Sequence, residues 1–243
     1  IIYGWVMKRK VLILILGLCG YTHIVWAGLS ISPIQLYITD KTKQRSATVT
    51  MDSKDMEDTK TFEATAVKWS QNDKGEDVYE PDPNIIINPK NFIIAPNSKQ
   101  VIRVGFNQPL AGITTNDEKT WRIIFQEVAP PVDTDSVTFL FNISVPLFVG
   151  KLNPVNINVI PKTINNNLVV NIKNNSPSHV QILKLTLVDA SKKEVANLSQ
   201  MKYLLPNTAQ DFNFEKINLH NNQYKLLVLT DKQDQPYEYS LKE

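Results

Sequence analysis

Asp135-Ser136-Val137-Thr138-Phe139-Leu140-Phe141-Asn142-Ile143-Ser144-Val145-Pro146-Leu147-Phe148 is the stretch on which the reading of this chain turns. At period two, Val137, Phe139, Phe141, Ile143 and Val145 fall on one face, with Ser136, Thr138, Leu140, Asn142 and Ser144 on the other. That is the pattern of a half-buried strand. Five successive large branched or aromatic side chains on one face are more than a short sandwich strand needs for its own interior. Two readings follow: a plain core strand, or a strand lent to another protein whose groove it fills.

Working outward, the segments 29–38, 47–51, 61–69, 85–89, 91–96, 99–106 and 120–128 also read as short strands, separated by Pro, Asn and Asp turns. Residues 70–83, with Asn72, Asp73, Gly75, Pro81 and Pro83, read as an exposed loop. No segment of helical period is long enough to compete, so the fold class is all-β, built as sandwiches. Gly150-Lys151-Leu152-Asn153-Pro154 is a turn-rich join. Beyond it, 155–160, 168–173, 180–189, 202–205, 210–214 and 224–230 form a second, smaller set of strands. The expected domains are therefore 28–150 and 151–243.

Residues 1–27 stand outside that scheme. Met7 is followed by the basic Lys8-Arg9-Lys10, an apolar run from Val11 to Cys19, and the small-residue exit Val25-Trp26-Ala27, the layout of a secretory signal peptide cleaved after Ala27. The run is short for a membrane span, so no membrane insertion is expected after cleavage. Cys19, the only cysteine, lies in this segment, and the exported chain must hold itself together by burial alone. Lys and Arg number 26 against 24 Asp and Glu, and this balance gives no footing for nucleic acid or an anionic membrane surface as partner.

Catalytic chemistry leaves no mark. His23 sits in the leader, while His179 and His220 each stand alone in expected turns, so no metal site is expected. There is no Gly-x-Ser-x-Gly and no glycine-rich phosphate loop. The chain reads as a binding protein, without enzymatic activity or cofactor.

Pro33, Val67-Lys68-Trp69, Ile87-Asn88-Pro89, Phe92-Ile93-Ile94-Ala95-Pro96, Gln100-Val101-Ile102-Arg103-Val104, Trp121-Arg122-Ile123-Ile124-Phe125-Gln126-Glu127-Val128-Ala129-Pro130-Pro131 and the alternating strand ending Pro146-Leu147-Phe148 together resemble the periplasmic chaperones of the chaperone-usher pilus pathway. The later segments Val169-Val170-Asn171-Ile172-Lys173-Asn174-Asn175-Ser176-Pro177 and Tyr203-Leu204-Leu205-Pro206-Asn207 extend the resemblance over nearly the whole exported chain. It implies two immunoglobulin-like sandwiches set at an angle, periplasmic location, pilus or fimbrial subunits and an outer-membrane usher as partners, and no requirement for ATP. It also implies that Val137, Phe139, Phe141, Ile143 and Val145 complete a subunit that lacks its last strand. Self-association of the free protein would hide the same apolar edge. A structural pilus or adhesin component with the same fold is the alternative function.

The best-known branch of that family anchors the subunit's C-terminal carboxylate on two basic residues. Their places here hold Gln35 and Pro146, so that anchor does not carry over. Arg122 is the expected substitute, since the archaic branch is similar in having Arg after an aromatic at this point. Its guanidinium fork matches a carboxylate. The competing reading of Arg122 is an internal salt bridge to Glu127 or a neighbouring carboxylate; Arg103 and Lys99 are weaker candidates that read as solvated.

Overall fold

The computed structural model describes residues 28–39, 44–54, 56–110, 113, 117–130, 138–217 and 224–241. The proposed leader, the loop after Pro130 and Val137 lie outside them. All regular structure among the described residues is β, arranged as two sandwiches in succession.

The first sandwich has one sheet in the order β1 (Ser30–Ser32), β3 (Ser46–Asp52), β8 (Lys99–Phe106), β6 (Ile85–Asn88). Facing it is a sheet in the order β2 (Leu36–Ile38), β10 (Asn142–Val149), β9 (Lys119–Glu127), β4 (Lys60–Gln71), β5 (Asp77–Pro81), with β7 (Asn91–Ile94) also pairing on β4. Alternation fills the space between: Val49 and Met51 from β3, Ile102 and Val104 from β8, Phe62 and Ala64 from β4, and Ile123 and Phe125 from β9 are all buried. Each large apolar side chain so enclosed contributes roughly 1.5–3 kcal/mol. β1 and β2 are one extended segment broken at Pro33, the first half paired with β3 in one sheet and the second running parallel to β10 in the other.

The second sandwich packs a sheet β11 (Ile157–Ile164), β12 (Asn167–Asn174), β16 (Ala209–Phe214) against a sheet β14 (Glu194–Leu198), β13 (Val180–Val188), β17 (Tyr224–Thr230), β18 (Gln233–Leu241), with β15 (Lys202–Leu204) pairing on β13. Its core draws on Leu168, Val170, Ile172, Ile182, Leu185, Leu187, Phe212, Phe214, Leu226 and Val228. The last core member of the first sandwich is Val149 and the first of the second is Ile157.

Three strands depart from the sequence reading. β5 lies inside the expected 70–83 loop, pairing Trp69 with Tyr79 and Gln71 with Asp77. β14 and β18 were not expected at all; both are edge strands, β14 short and β18 largely polar. The stretch quoted first is also shorter as a strand than its alternation suggests. Residues 138–141 carry no ladder, because β9, the strand they would pair with, ends at Glu127 opposite the start of β10.

The sandwiches meet along a seam of specific contacts. A small cluster of Trp69, Phe148 and Leu205, flanked by Tyr37 and Tyr203, bridges them. Gln71 accepts from Leu205 N–H at 3.0 Å and from the Thr208 hydroxyl at 2.8 Å, while its amide donates to the Tyr203 carbonyl at 2.9 Å. At the 72–76 turn, Gly75 has φ +76°, and a Cβ there would run into the Ala209 carbonyl and the Gln210 side chain. Only glycine suits both the left-handed backbone and the close approach.

Candidate functional site

The apolar row of β10 begins inside the first sandwich and runs out of it. Val149 and Leu147 are fully buried and Val145 is 2% exposed; Ile143 is half-buried against the core; Phe141 is 38% exposed and Phe139 90% exposed. Val145 is therefore a core residue and not free to enter a partner. The correction follows from the register: Val145 sits opposite Ile123 on β9, beneath both sheets, whereas Phe139 lies beyond the end of β9. Val137 is outside the described residues.

Where the row leaves the sheet it is pinned. Glu127 N–H donates to the Phe141 carbonyl at 2.8 Å, and Phe141 N–H donates to Glu127 Oε2 at 3.0 Å. Lys60 Nζ balances that buried carboxylate at 3.0 Å from Oε1. On its other side, β10 pairs with β2 only from Leu147 to Val149, which leaves the backbone of 142–146 as an open edge. An open edge beside exposed apolar side chains is a template for an added strand.

Arg122 projects from the middle of the same sheet, in register with Pro146 on β10 and Val67 on β4. Its guanidinium carbon lies 3.8 Å from the centre of the Trp69 ring and 5.3 Å from that of Tyr203, an aromatic face from each sandwich. Such cation–π contacts are worth about 0.5–2 kcal/mol depending on solvation. It also reaches the Tyr79 hydroxyl; burial and the nearby Asp77 raise that phenol, and the Arg122 charge pulls it partly back. The competing reading, a salt bridge to Glu127, does not hold: residues five apart on a strand face opposite ways, and Glu127 is held by Lys60. No carboxylate among the described residues pairs with Arg122. Arg122 Nε and Trp69 Nε1 are both buried N–H donors with no acceptor. Lys99, by contrast, pairs with Asp52 at 2.9 Å on an exposed strand.

Gln35 makes a different use of the vacated anchor position. Its Nε2 donates to the Tyr203 hydroxyl at 2.8 Å and to Gln181 Oε1 at 3.2 Å, and its Oε1 accepts from the Tyr37 hydroxyl at 2.8 Å. It thus ties the first sandwich to the second. Pro146 is buried, in register with Arg122 across the ladder.

His179, read from sequence as isolated, is the centre of a buried polar hub. Asn174 Oδ1 caps Ser176 N–H, Ser176 Oγ accepts from Ser178 N–H, and Ser178 Oγ donates to the Lys151 carbonyl, a run of local bonds that fixes the loop and aims the imidazole. His179 stacks on Phe148 with ring centres 3.4 Å apart, and its Nδ1 lies 2.6 Å from Glu118 Oε1. Its Nε2 faces Lys232 Nζ at 2.8 Å and Asp231 Oδ2 at 3.6 Å. Burial would raise the Asp231 carboxyl, but bonds from His179, Lys232 and Gln181 N–H outweigh it and hold the group below the ordinary carboxylate range. Sequence reasoning missed the hub because Glu118 and His179 are brought together only by the packing of one sandwich on the other. Among the described residues no group of three or more His, Cys, Asp or Glu side chains could hold a metal.

Among solved structures, pilus chaperones share this fold. The CsuC–CsuE chaperone–tip adhesion subunit pre-assembly complex from archaic chaperone-usher Csu pili of Acinetobacter baumannii matches with a TM-score of 0.65 at 18% identity, over 88% of this chain and 98% of that one. The YadV chaperone matches at 0.64 and 15%, over 88% and 100%. The complex of Salmonella enterica SafA pilin with the SafB chaperone matches at 0.58 and 16%, over 88% and 96%. The fold is that of the pilus chaperones. No protein-family model matches the sequence, and no curated protein matches it.

Proposed function

We propose that this protein is a periplasmic chaperone of the chaperone-usher type, exported by the segment 1–27, with domains at 28–150 and 151–243, that holds pilus subunits by strand donation and delivers them to an outer-membrane usher. The observation that carries the reading is the gradient along one alternating row, from a fully buried Leu147 to a Phe139 that is 90% exposed. Phe139, Phe141 and Ile143, with Val137 before them, are the side chains offered to the partner. Burial of Phe139, Phe141 and Ile143 alone would supply roughly 5–9 kcal/mol gross at about 1.5–3 kcal/mol each, comparable with an association cost of about 4–15 kcal/mol. Backbone bonds along 142–146 add to it.

Arg122 is proposed as the anchor for the subunit's terminal carboxylate. A half-buried guanidinium on an aromatic platform, with its Nε buried and unmet, supports that role. A charged hydrogen bond of this kind contributes about 1.5–3 kcal/mol. The test is recovery of a pilus subunit with the tagged protein from the periplasm. Phe141→Asp should abolish recovery and Asn142→Asp, on the opposite face, should retain most of it; equal losses would reject the donated row as assigned.

A further inference from the structure

We infer that Pro146 sets the specificity of the open edge of β10, disfavouring a second copy of this chain there and leaving the edge to a foreign strand. This rests on the strand-donation reading above.

Backbone direction carries the argument. Glu127 N–H donates to the Phe141 carbonyl at 2.8 Å, so the odd-numbered residues of this stretch turn their backbone groups toward β9. Gly150 N–H donates to the Ile38 carbonyl at 3.0 Å, so the even-numbered residues turn theirs toward β2 and, where β2 does not reach, toward the open edge. Between Asn142 and Pro146 that edge offers the carbonyls of Asn142, Ser144 and Pro146, but N–H groups from Asn142 and Ser144 alone, since proline has none. The same parity explains why β10 tolerates a proline at all: position 146 owes no bond to β9.

Symmetry then separates two classes of visitor. A second copy would pair antiparallel about a two-fold axis. Centred on Ser144, the middle of the open window 142–146, such a pair sets Asn142 of each copy against Pro146 of the other, so the missing donor is lost twice. A shift that avoids Pro146 leaves each copy only Asn142 and Ser144 to pair. A foreign strand without a proline at that point meets the gap once. The discrimination is needed here because Phe139 and Phe141, exposed beside the edge, would otherwise favour self-pairing, and a proline on an open edge is a common guard against it.

The test is sedimentation equilibrium of the purified chain over a concentration series, with amide exchange read at the same concentrations. In the native chain, exchange at the Asn142 and Ser144 N–H groups should not slow as concentration rises. Pro146→Val restores the N–H, keeps an apolar side chain and adds two bonds to the symmetric pair. It should tighten dimerisation by about tenfold, each bond being worth a factor of about two to ten; Pro146→Ala should act in the same direction. Adding Ser144→Pro to either variant should remove the gain. The inference is overturned by a native dimer that protects those two N–H groups, by a Pro146→Val or Pro146→Ala chain that folds yet associates no more tightly than the native one, or by a gain that survives Ser144→Pro. Strand donation is judged separately, by subunit recovery with Phe141→Asp, so the two can fail independently.

Discussion

Arg122 and His179 are two polar groups at the seam between the same sandwiches, and they are treated in opposite ways. His179 is buried among Glu118, Asp231 and Lys232, each within 3.6 Å, and stacked on Phe148. Arg122 has aromatic rings beneath it and no carboxylate among the described residues, with a buried N–H unmet. A group whose demands are filled within the molecule is architecture. One whose demands are left open is available to something else. The same distinction runs along β10, where Leu147 is enclosed and Phe139 is not.

Breaking the hub should have the largest effect. Glu118→Ala leaves the His179 N–H and imidazole without their carboxylate acceptor and should lower unfolding stability by about 1.5–3 kcal/mol in urea titrations; Arg122→Ala should cost no more than about 1 kcal/mol. Equal costs would erase the contrast. Asp231 gives an intermediate effect through pH. Its folded pKa lies below its unfolded value, so its contribution is fully present above the ordinary carboxylate value of about 3.9 and is lost as pH falls through the folded pKa. Asp231→Asn should therefore flatten the acid limb of a stability–pH curve and leave the slope between pH 5 and 7 unchanged. Smallest of all, Phe139→Ala should change stability by less than about 0.5 kcal/mol, as expected of an exposed side chain; a larger loss would mean that the row is covered by its own chain.

Much of this was legible in the residues. Period-two alternation located β3, β4, β8 and β9, because each buries one face and exposes the other. The same rule overextended β10: alternation reports which face is apolar but not whether a neighbouring strand is there to pair, and β9 stops at Glu127. β18 was hidden for the converse reason. Its Gln233, Asp234, Gln235 and Pro236 resemble a tail, but an edge strand needs one inner face, supplied by Tyr237, Tyr239 and Leu241, and tolerates a proline on its open side. Arg122 was found as a cation of interest, yet its setting was not readable. Trp69 and Tyr203 lie far from it in sequence and meet it through tertiary packing alone. The proposed Glu127 partner could have been dismissed by parity, since an odd spacing on a strand separates two side chains to opposite faces.

The parallel pairing of Leu36–Ile38 with Leu147–Val149 does more than close the first sandwich. It occupies the far end of the open side of β10, so under the strand donation proposed above a visiting strand would halt at Pro146, level with Arg122 across the ladder. The short β2 strand would then act as a buffer stop, fixing where the guest ends by steric exclusion rather than by attraction.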